Sequence, residues 1–221
     1  PGVSTFEMFS DVMPIRLDPD YPLQMDDDSI QRDDPITHLH VHDCLEMGLC
    51  HEGQGVFVVG RKVLPFHAGD VVLINHTEVH LARSAPGTVS RWTWIYLDPV
   101  RIVGADLVNR FDDPARLGGP DFRNVMGAPV HARVADAVRQ LVDEHRRRPH
   151  GWRDMARTLV GEILIHAART LPAKRAAATP PCRDFDRLAP ALQEMSASYD
   201  KQTPMRQFAR RCGLSEAQFR R

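Results

Sequence analysis

Three histidines and a glutamate, His40, His42, Glu46 and His80, are the residues most suited to chemistry in this chain. Side chains along a β-strand alternate between its two faces, so His40 and His42 share a face, and Glu46 joins them if the strand continues. Three imidazoles and a carboxylate form a ligand set for a divalent transition metal, with zinc, nickel, iron and manganese as candidates. The alternative is a pocket in which the same side chains bond an organic molecule directly.

A second candidate group consists of aromatic side chains on one later segment. Trp92, Trp94 and Tyr96 alternate along the chain, so in a strand they share one face. If that face points inward, the rings offer flat apolar platforms for an effector such as a sugar or an aromatic acid. His38 has the parity of His40 and is expected to line the mouth of the same pocket. Ordinary core packing of the aromatics is the alternative.

The elements that must position these groups are short β-strands. Residues 36–98 form β-rich runs separated by turns, a pattern that fits a barrel or jelly roll. The expected strands are 36–41, 45–51, 55–59, 71–74, 79–83 and 90–97. Residues 1–35 are acidic and rich in proline, and they are expected to form an irregular arm with one short strand at 15–17.

Helical periodicity replaces the strand pattern in residues 99–171. An apolar stripe at Val134, Val138, Leu141 and Val142 predicts a helix over 132–147, and a second helix is expected over 153–171. The stripe could contact a second copy of the chain in a homodimer or pack on its own barrel, and both alternatives remain open. Residues 172–183 are rich in proline and alanine and are expected to be an interdomain linker.

Residues 184–221 predict a helix-turn-helix. Thr203 suits an N-cap with Pro204 at the first helical position, Phe208 and Ala209 suit buried positions, and 212–215 suit a tight turn before a helix at Glu216.

The second of these helices supplies the candidate DNA contacts. Ala217, Arg220 and Arg221 lie at positions i, i+3 and i+4, so they share the helix face that would enter the major groove. Solvated surface charge is the alternative for each arginine.

Charge and composition narrow the class of protein. The net charge of −1 combines an acidic start, with eleven Asp or Glu and two Arg in residues 1–50, and a basic end, with eight Lys or Arg and five Asp or Glu in residues 183–221. The basic end favours a polyanionic partner. Four cysteines without a CxxC pair indicate reduced thiols and a cytoplasmic protein. Without a signal peptide or an apolar run of about 18 residues, no membrane partner is expected.

Two sequence blocks resemble parts of one family, the AraC-type transcriptional regulators. The segment MRQFARRCGLSEAQFRR (205–221) resembles their first helix-turn-helix, and residues 38–80 look like their cupin sensor domain. His40-x-His42-x3-Glu46-x6-Gly53 matches the first cupin motif. The second motif is degraded, since Asn75 and Thr77 stand where proline and glycine are usual, but His80 keeps the histidine position.

The resemblance implies a mainly β N-terminal cupin barrel (jelly roll) with C-terminal α-helices, followed by an all-α helix-turn-helix segment. It implies an effector-sensing bacterial transcriptional regulator, not an enzyme, that forms a homodimer on promoter DNA, with RNA polymerase as a further candidate partner. Only the first, truncated helix-turn-helix of the family's DNA-binding domain is present, so this chain alone is not expected to bind DNA properly. The competing hypothesis is a metal-dependent cupin enzyme, a dioxygenase or an isomerase.

Overall fold

Two five-stranded sheets and a layer of helices make up the fold of the computed structural model, which describes residues 10–36, 39–76, 78–109, 117–127, 131–170 and 204–219. In these ranges the strands are Ser10–Val12 (β1), Leu23–Gln31 (β2), Leu39–Val41 (β3), Leu45–Glu52 (β4), Gln54–Val59 (β5), Lys62–His67 (β6), Val71–Ile74 (β7), His80–Ser84 (β8), Ser90–Leu97 (β9) and Val125–Met126 (β10). The helices are Pro99–Val103 (α1), Ala105–Asn109 (α2), Ala132–Arg147 (α3), Trp152–Arg169 (α4), Met205–Arg211 (α5) and Glu216–Phe219 (α6).

The two sheets face each other. One, here called the outer sheet, has the strand order β1-β3-β8-β5-β6, and the other, the middle sheet, has the order β10-β7-β4-β9-β2. Neighbouring strands pair antiparallel except β1 with β3. The predicted fold class, a β-rich domain followed by helices, is confirmed.

The middle sheet is covered on both faces, and its sequence reflects this. Along β4, Leu45, Met47 and Leu49 belong to the core shared with α3 and α4, whereas Cys50 belongs to the core between the sheets. A strand buried on both faces is a nearly continuous apolar run. Glu46, a charged residue within such a run, therefore requires partners.

The apolar stripe of α3 packs on its own domain. Val134, Val138, Leu141 and Val142 are almost fully buried in the core between α3, α4 and the middle sheet. Of the two alternatives for this stripe, the structure shows packing on the domain itself. Within the described residues, no helix has the length and hydropathy needed to cross a membrane.

The segment expected to be an irregular arm contains the longest strand, and that expectation is wrong for Leu23–Gln31. This strand, β2, pairs with β9 at the edge of the middle sheet, where charged side chains are tolerated. A bulge between Asp26 and Ser29, with Asp28 at a φ of 58°, interrupts the alternation that would have revealed it. The strand expected at 15–17 is absent, while β6 and β10 were not expected.

Residues 204–219 form the predicted helix, turn and helix. Phe208 and Ala209 are buried, and α5 ends in a Schellman motif in which Leu214 N–H donates to the Ala209 carbonyl at 2.9 Å. Gly213, at a φ of 63°, takes the left-handed position of that motif. Pro204 precedes α5 rather than opening it, and Thr203 lies outside the described residues.

The second helix of this unit starts with a capping box. Gln218 N–H donates to Ser215 Oγ at 3.3 Å, and Ser215 N–H donates to Gln218 Oε1 at 3.1 Å. Two otherwise unpaired backbone donors at the start of α6 are thereby satisfied.

Candidate metal centre

The four predicted ligands meet between the two sheets. His40 and His80 are directly opposite each other on β3 and β8 of the outer sheet, and Glu46 comes from β4 of the middle sheet. One donor atom from each of the four residues lies within 4.8 Å of every other. The strand does not continue from His42 to Glu46, as the alternation argument assumed. Instead, β3 ends at Val41, and the chain crosses to the other sheet before Glu46.

Backbone carbonyls fix the orientation of two imidazoles. His42 Nδ1 lies 2.6 Å from the Met13 carbonyl oxygen, and His80 Nδ1 lies 2.7 Å from the Glu78 carbonyl oxygen. A carbonyl oxygen can only accept, so each Nδ1 carries the proton. The Nε2 atoms of His42 and His80 then point at the same oxygen, Glu46 Oε2, at 3.1 and 3.0 Å.

Burial makes the charges of this cluster strongly interdependent. His42, Glu46 and His80 are all buried, and His40 is half-buried. Burial by itself would raise the pKa of Glu46, but the charge of His80 and the hydrogen bonds from both imidazoles outweigh it and lower that pKa to about 2. For His42, burial favours the neutral form, but the hydrogen bonds to Glu46 and Met13 outweigh it and raise the pKa.

The donor set fits a divalent cation. An ionised carboxylate can only accept hydrogen bonds, so without a cation both Nε2 atoms must be protonated to face Glu46, which places two imidazolium charges against one buried carboxylate. A metal ion removes that requirement, because neutral Nε2 atoms and a carboxylate oxygen all donate electron pairs to it. Ligands at about 2.1 Å from one ion are roughly 3–4 Å apart. The two Nε2 atoms lie 3.1 and 3.0 Å from Glu46 Oε2, and the whole set, which spans up to 4.8 Å, would need to draw closer around an ion. The Nδ1–H bonds to carbonyls are the support that metal-binding histidines normally have.

The three aromatic residues do share the inward face of β9, but they differ in position. The Tyr96 ring lies 5.3 Å from the His42 ring, and the Trp94 ring stacks on Trp92 at 4.8 Å with a 6° angle between their planes. Trp92 is fully buried and donates its Nε1–H to Ser90 Oγ, which favours the core-packing alternative for this residue. Tyr96 is therefore the aromatic residue beside the cluster, and burial raises the pKa of its hydroxyl.

A family comparison decides the class of this domain. The model of the AraC-like ligand-binding domain matches residues 30–147, which include the four candidate ligands and Tyr96. The chain belongs to this family. The predicted resemblance to AraC-type regulators is thus confirmed for the ligand-binding domain.

Regulators and cupins are among the solved structures to which this chain is similar. The AraC-like transcriptional activator CuxR is 13% identical with a TM-score of 0.42, and the match covers 79% of this chain and 58% of CuxR. ToxT from Vibrio cholerae O395, solved with (E)-4-(8-methylnaphthalen-1-yl)but-3-enoic acid, is 10% identical with a TM-score of 0.43, and the match covers 90% of this chain and 92% of ToxT. A cupin protein from Bacteroides fragilis is 16% identical with a TM-score of 0.31, covering 35% and 66%. No curated protein sequence matches this chain.

Several of the residues predicted to contact an effector or DNA lie away from the histidine and glutamate cluster or outside the residues that the structure describes. Ala217 is exposed on α6, while His38, Arg220 and Arg221 are outside the described residues. The carbonyl of Met13 was not predicted, because a backbone acceptor leaves no signal in the sequence.

The role of Glu78 in supporting the site was also not predicted from the sequence. Its side chain accepts hydrogen bonds from Asn75 N–H at 3.1 Å, Gly119 N–H at 2.8 Å and Asn124 Nδ2 at 3.0 Å, and its carbonyl orients His80. An acidic residue two positions before a candidate ligand is the only signal that could have suggested it.

Proposed function

We propose that this chain is the ligand-sensing part of a transcriptional regulator, with a divalent transition metal held by His40, His42, Glu46 and His80 in the sensor domain. The observation that carries the proposal is the convergence of two Nε2 atoms on Glu46 Oε2 while both Nδ1 atoms are engaged by carbonyls. Zinc, nickel, iron and manganese all accept such ligands. Family membership supports a sensor rather than a metal-dependent enzyme.

The bound ion would act as a Lewis acid with open positions for an oxygen or nitrogen donor of the effector. The residues around the site orient the proposed ligands and enclose the space beside them. Met13 and Glu78 hold the two buried imidazoles through their carbonyls, and Tyr96 covers the His42 ring. We propose that Tyr96 and Trp94 contact the effector, with His38 at the pocket mouth.

The C-terminal unit would connect sensing to DNA. In this proposal Ala217, Arg220 and Arg221 face the major groove of promoter DNA. The arginines of α5, which are Arg206, Arg210 and Arg211, contact phosphates. The sensor comprises the predicted 36–98 together with β1 and β2, its helical and dimerisation region lies at 99–171, the linker at 172–183, and the first helix-turn-helix at 184–221. A cytoplasmic homodimer that engages RNA polymerase at the promoter completes the proposal.

Metal binding is tested first, on the chain as it stands. The protein is stripped with a chelator, loaded with Co²⁺ or Zn²⁺, and analysed for metal content and for the visible absorption of Co²⁺. One ion per chain is expected, and His80→Ala and Glu46→Gln should each lose it. His67→Ala is the matched control, since His67 is exposed on β6. Equal metal content in all three variants would contradict the site.

DNA regulation is tested separately. Fluorescence anisotropy at fixed salt measures the affinity of the full-length protein, with its complete DNA-binding domain, for DNA from upstream of its gene, with and without Co²⁺. A change in affinity of fivefold or more on metal loading is expected, and this change should vanish in His80→Ala. DNA affinity that is indifferent to the metal and to every compound bound by the sensor would contradict regulation. Turnover of such a compound by the loaded protein would favour the enzyme hypothesis instead.

A further inference from the structure

The turn between α3 and α4, here called the basic turn (residues 146–153), carries a strong positive charge on a domain that is otherwise acidic. Its sequence, RRRPHGWR, contains four arginines and no Asp or Glu. Residues 1–145 contain twenty-two Asp or Glu and twelve Lys or Arg, a net charge of −10 with neutral histidines. Most of this domain therefore repels an anionic polymer, whereas the basic turn attracts one.

Three of the four arginines keep their charge available to a partner. Arg146 differs from them, because it donates hydrogen bonds to Asp27. The Arg147 side chain is 79% exposed and comes no closer than 3.9 Å to a carboxylate oxygen, a geometry in which an ion pair contributes little. Arg148 and Arg153 are exposed, and the described residues form no salt bridge with either of them.

Aromatic rings, not carboxylates, hold two of these guanidinium groups in place. The guanidinium carbons of Arg148 and Arg153 lie 5.1 and 5.4 Å from the centre of the Trp152 ring, and that of Arg153 lies 5.3 Å from the centre of the Tyr21 ring. A ring attracts a cation without neutralising it, so both groups are positioned and both keep their full charge. Burial raises the pKa of Tyr21 to about 12, although Arg153 and Arg148 each act to lower it, so both positive charges act on this one hydroxyl.

The electrostatics of the two helices explain only part of this charge. Arg147 lies in the last turn of α3, where the negative end of the helix dipole favours a cation. Arg153 lies in the first turn of α4, where the dipole disfavours a cation. Arg148 has a φ of 47°, a left-handed conformation that glycine and asparagine adopt with less strain. Helix stability alone would not favour arginine at either of these two positions, which points to an anionic partner.

We propose that Arg147, Arg148 and Arg153 of the basic turn contact the phosphate backbone of the DNA on which the regulator is bound. Guanidinium groups bind phosphate oxygens strongly and carry no base information in this role, so the contact adds affinity without sequence preference. This inference rests on the proposed regulator function, which supplies duplex DNA as the partner. It adds a DNA contact from the sensor domain to the one proposed for the helix-turn-helix.

The test measures how DNA binding depends on salt, because each phosphate contact adds about −0.9 to the slope of log K against log[salt]. The chain, stripped of metal, is titrated against a labelled duplex of about 30 base pairs and arbitrary sequence, at about 20–200 mM NaCl, and fluorescence anisotropy reports binding. The triple variant Arg147→Gln, Arg148→Asn and Arg153→Gln should reduce the size of the slope by about 2–3 and the affinity at about 50 mM salt by at least tenfold. Asparagine accepts the left-handed conformation at position 148, so the turn is preserved.

A matched triple variant separates contact from net charge. Arg16→Gln, Arg123→Gln and Arg133→Gln remove the same charge from three other exposed arginines, and Arg133 lies at the opposite end of α3 from the basic turn. This control should reduce the size of the slope by less than about 1. Arg153→Gln alone removes a cation that the dipole of α4 disfavours, so it should keep the thermal stability of the wild type and still reduce the slope by about 0.9. Equal effects of the two triple variants would overturn the inference, as would a wild-type slope in folded Arg153→Gln.

Other polyanions give different results in the same assay. Poly-L-glutamate that displaces the duplex at equal charge concentration would identify an acidic protein partner, and binding to phosphatidylglycerol vesicles without binding to DNA would identify a membrane surface. Either result would overturn the DNA contact, and so would a wild-type chain that fails to bind the duplex at low salt. An unchanged slope in the triple variant, together with metal-dependent promoter binding by the full-length protein, would remove this inference and leave the proposed function standing. Promoter binding that ignores the metal, together with a reduced slope in the triple variant, would remove the proposed regulation and leave the contact standing.

Discussion

Replacing Glu78 by alanine should damage both the stability of the domain and its metal affinity. Glu78 accepts three hydrogen bonds from residues of two loops, and its Oε1 lies 3.8 Å from Lys62 Nζ. Both side chains are partly buried, with exposed fractions of 15% and 18%. The same residue presents the carbonyl that holds Nδ1 of His80. The substitution therefore removes a buried anion and loosens a metal ligand.

The magnitude follows from what the substitution leaves behind. Removing one partner of a buried ion pair costs about 3–5 kcal/mol when the remaining charge has no other partner. Lys62 retains acceptors, the carbonyls of Gly119 and Phe122 and the Oδ1 of Asn124, so the lower end applies. We expect Glu78→Ala to reduce the free energy of unfolding by about 3 kcal/mol. Loss of a residue that orients a metal ligand should weaken Co²⁺ binding by about 10–100-fold.

Urea unfolding of the metal-free protein and Co²⁺ titration at fixed pH provide the two measurements. Lys62→Met is the matched control, because it removes the charge pair but leaves the three hydrogen bonds of Glu78 in place. It should also reduce stability, since Glu78 and three acceptors of the Lys62 ammonium lose their partner, but it should leave Co²⁺ affinity within about threefold, a difference of less than 1 kcal/mol. Wild-type Co²⁺ affinity in folded Glu78→Ala would refute the positioning role, and unchanged stability would refute the hydrogen-bond network itself.

Three further substitutions test other parts of the fold. Tyr21→Phe should raise the free energy of unfolding by about 1 kcal/mol, because the described residues offer no partner to the buried hydroxyl. Burial, partly offset by nearby arginines, raises the pKa of Tyr21 to about 12. The free energy of unfolding is therefore independent of the ionisation of this hydroxyl below about pH 10, and it falls as the pH rises from 10 towards 12. Titration at 295 nm checks this, since the late-titrating absorbance should fall by the amount of one tyrosine in the variant, with Tyr96, whose pKa burial also raises, accounting for the rest. Gly48→Ala should cost about 1–3 kcal/mol and change the near-ultraviolet circular dichroism, since the added methyl would overlap the Trp94 ring and lie 2.8 Å from Val72 Cγ1. Gly213→Ala, at a φ of 63°, should cost about 1 kcal/mol of helix-turn-helix stability, seen as faster hydrogen exchange there, whereas ordinary exchange would contradict the αL assignment.

The sequence predicted which four side chains come together, His40, His42, Glu46 and His80, better than it predicted the path of the chain that joins them. Strand alternation correctly placed His40 and His42 together. Glu46 reaches them from the other sheet, and no local periodicity in the sequence can show this. The four residues could still be predicted as one site, because three histidines and a glutamate that are buried together have few roles other than binding a metal or a polar ligand.

The remaining errors have local physical causes. β2 was missed because its bulge at Asp26 and Ser29 breaks the period of two, and three consecutive aspartates resemble a loop. The supports of the ligands were missed because they are backbone carbonyls, which every residue type has. In contrast, α3 was predicted with its correct bounds, since a helix with one buried face repeats its apolar residues regularly.

The location of the cluster explains how a ligand there could affect the helical layer. His40 and His80 belong to the outer sheet, His42 lies in the turn after β3, and Glu46 belongs to the middle sheet. A bound ion would therefore contact both sheets at once. The neighbours of Glu46 on β4, Leu45 and Met47, point the other way and pack in the core with α3 and α4. A second connection runs from His80 through Glu78 to Gly119 and Asn124, in the segment that leads into β10. Close-packed interiors transmit small displacements, so a change in sheet spacing would be felt by both helices.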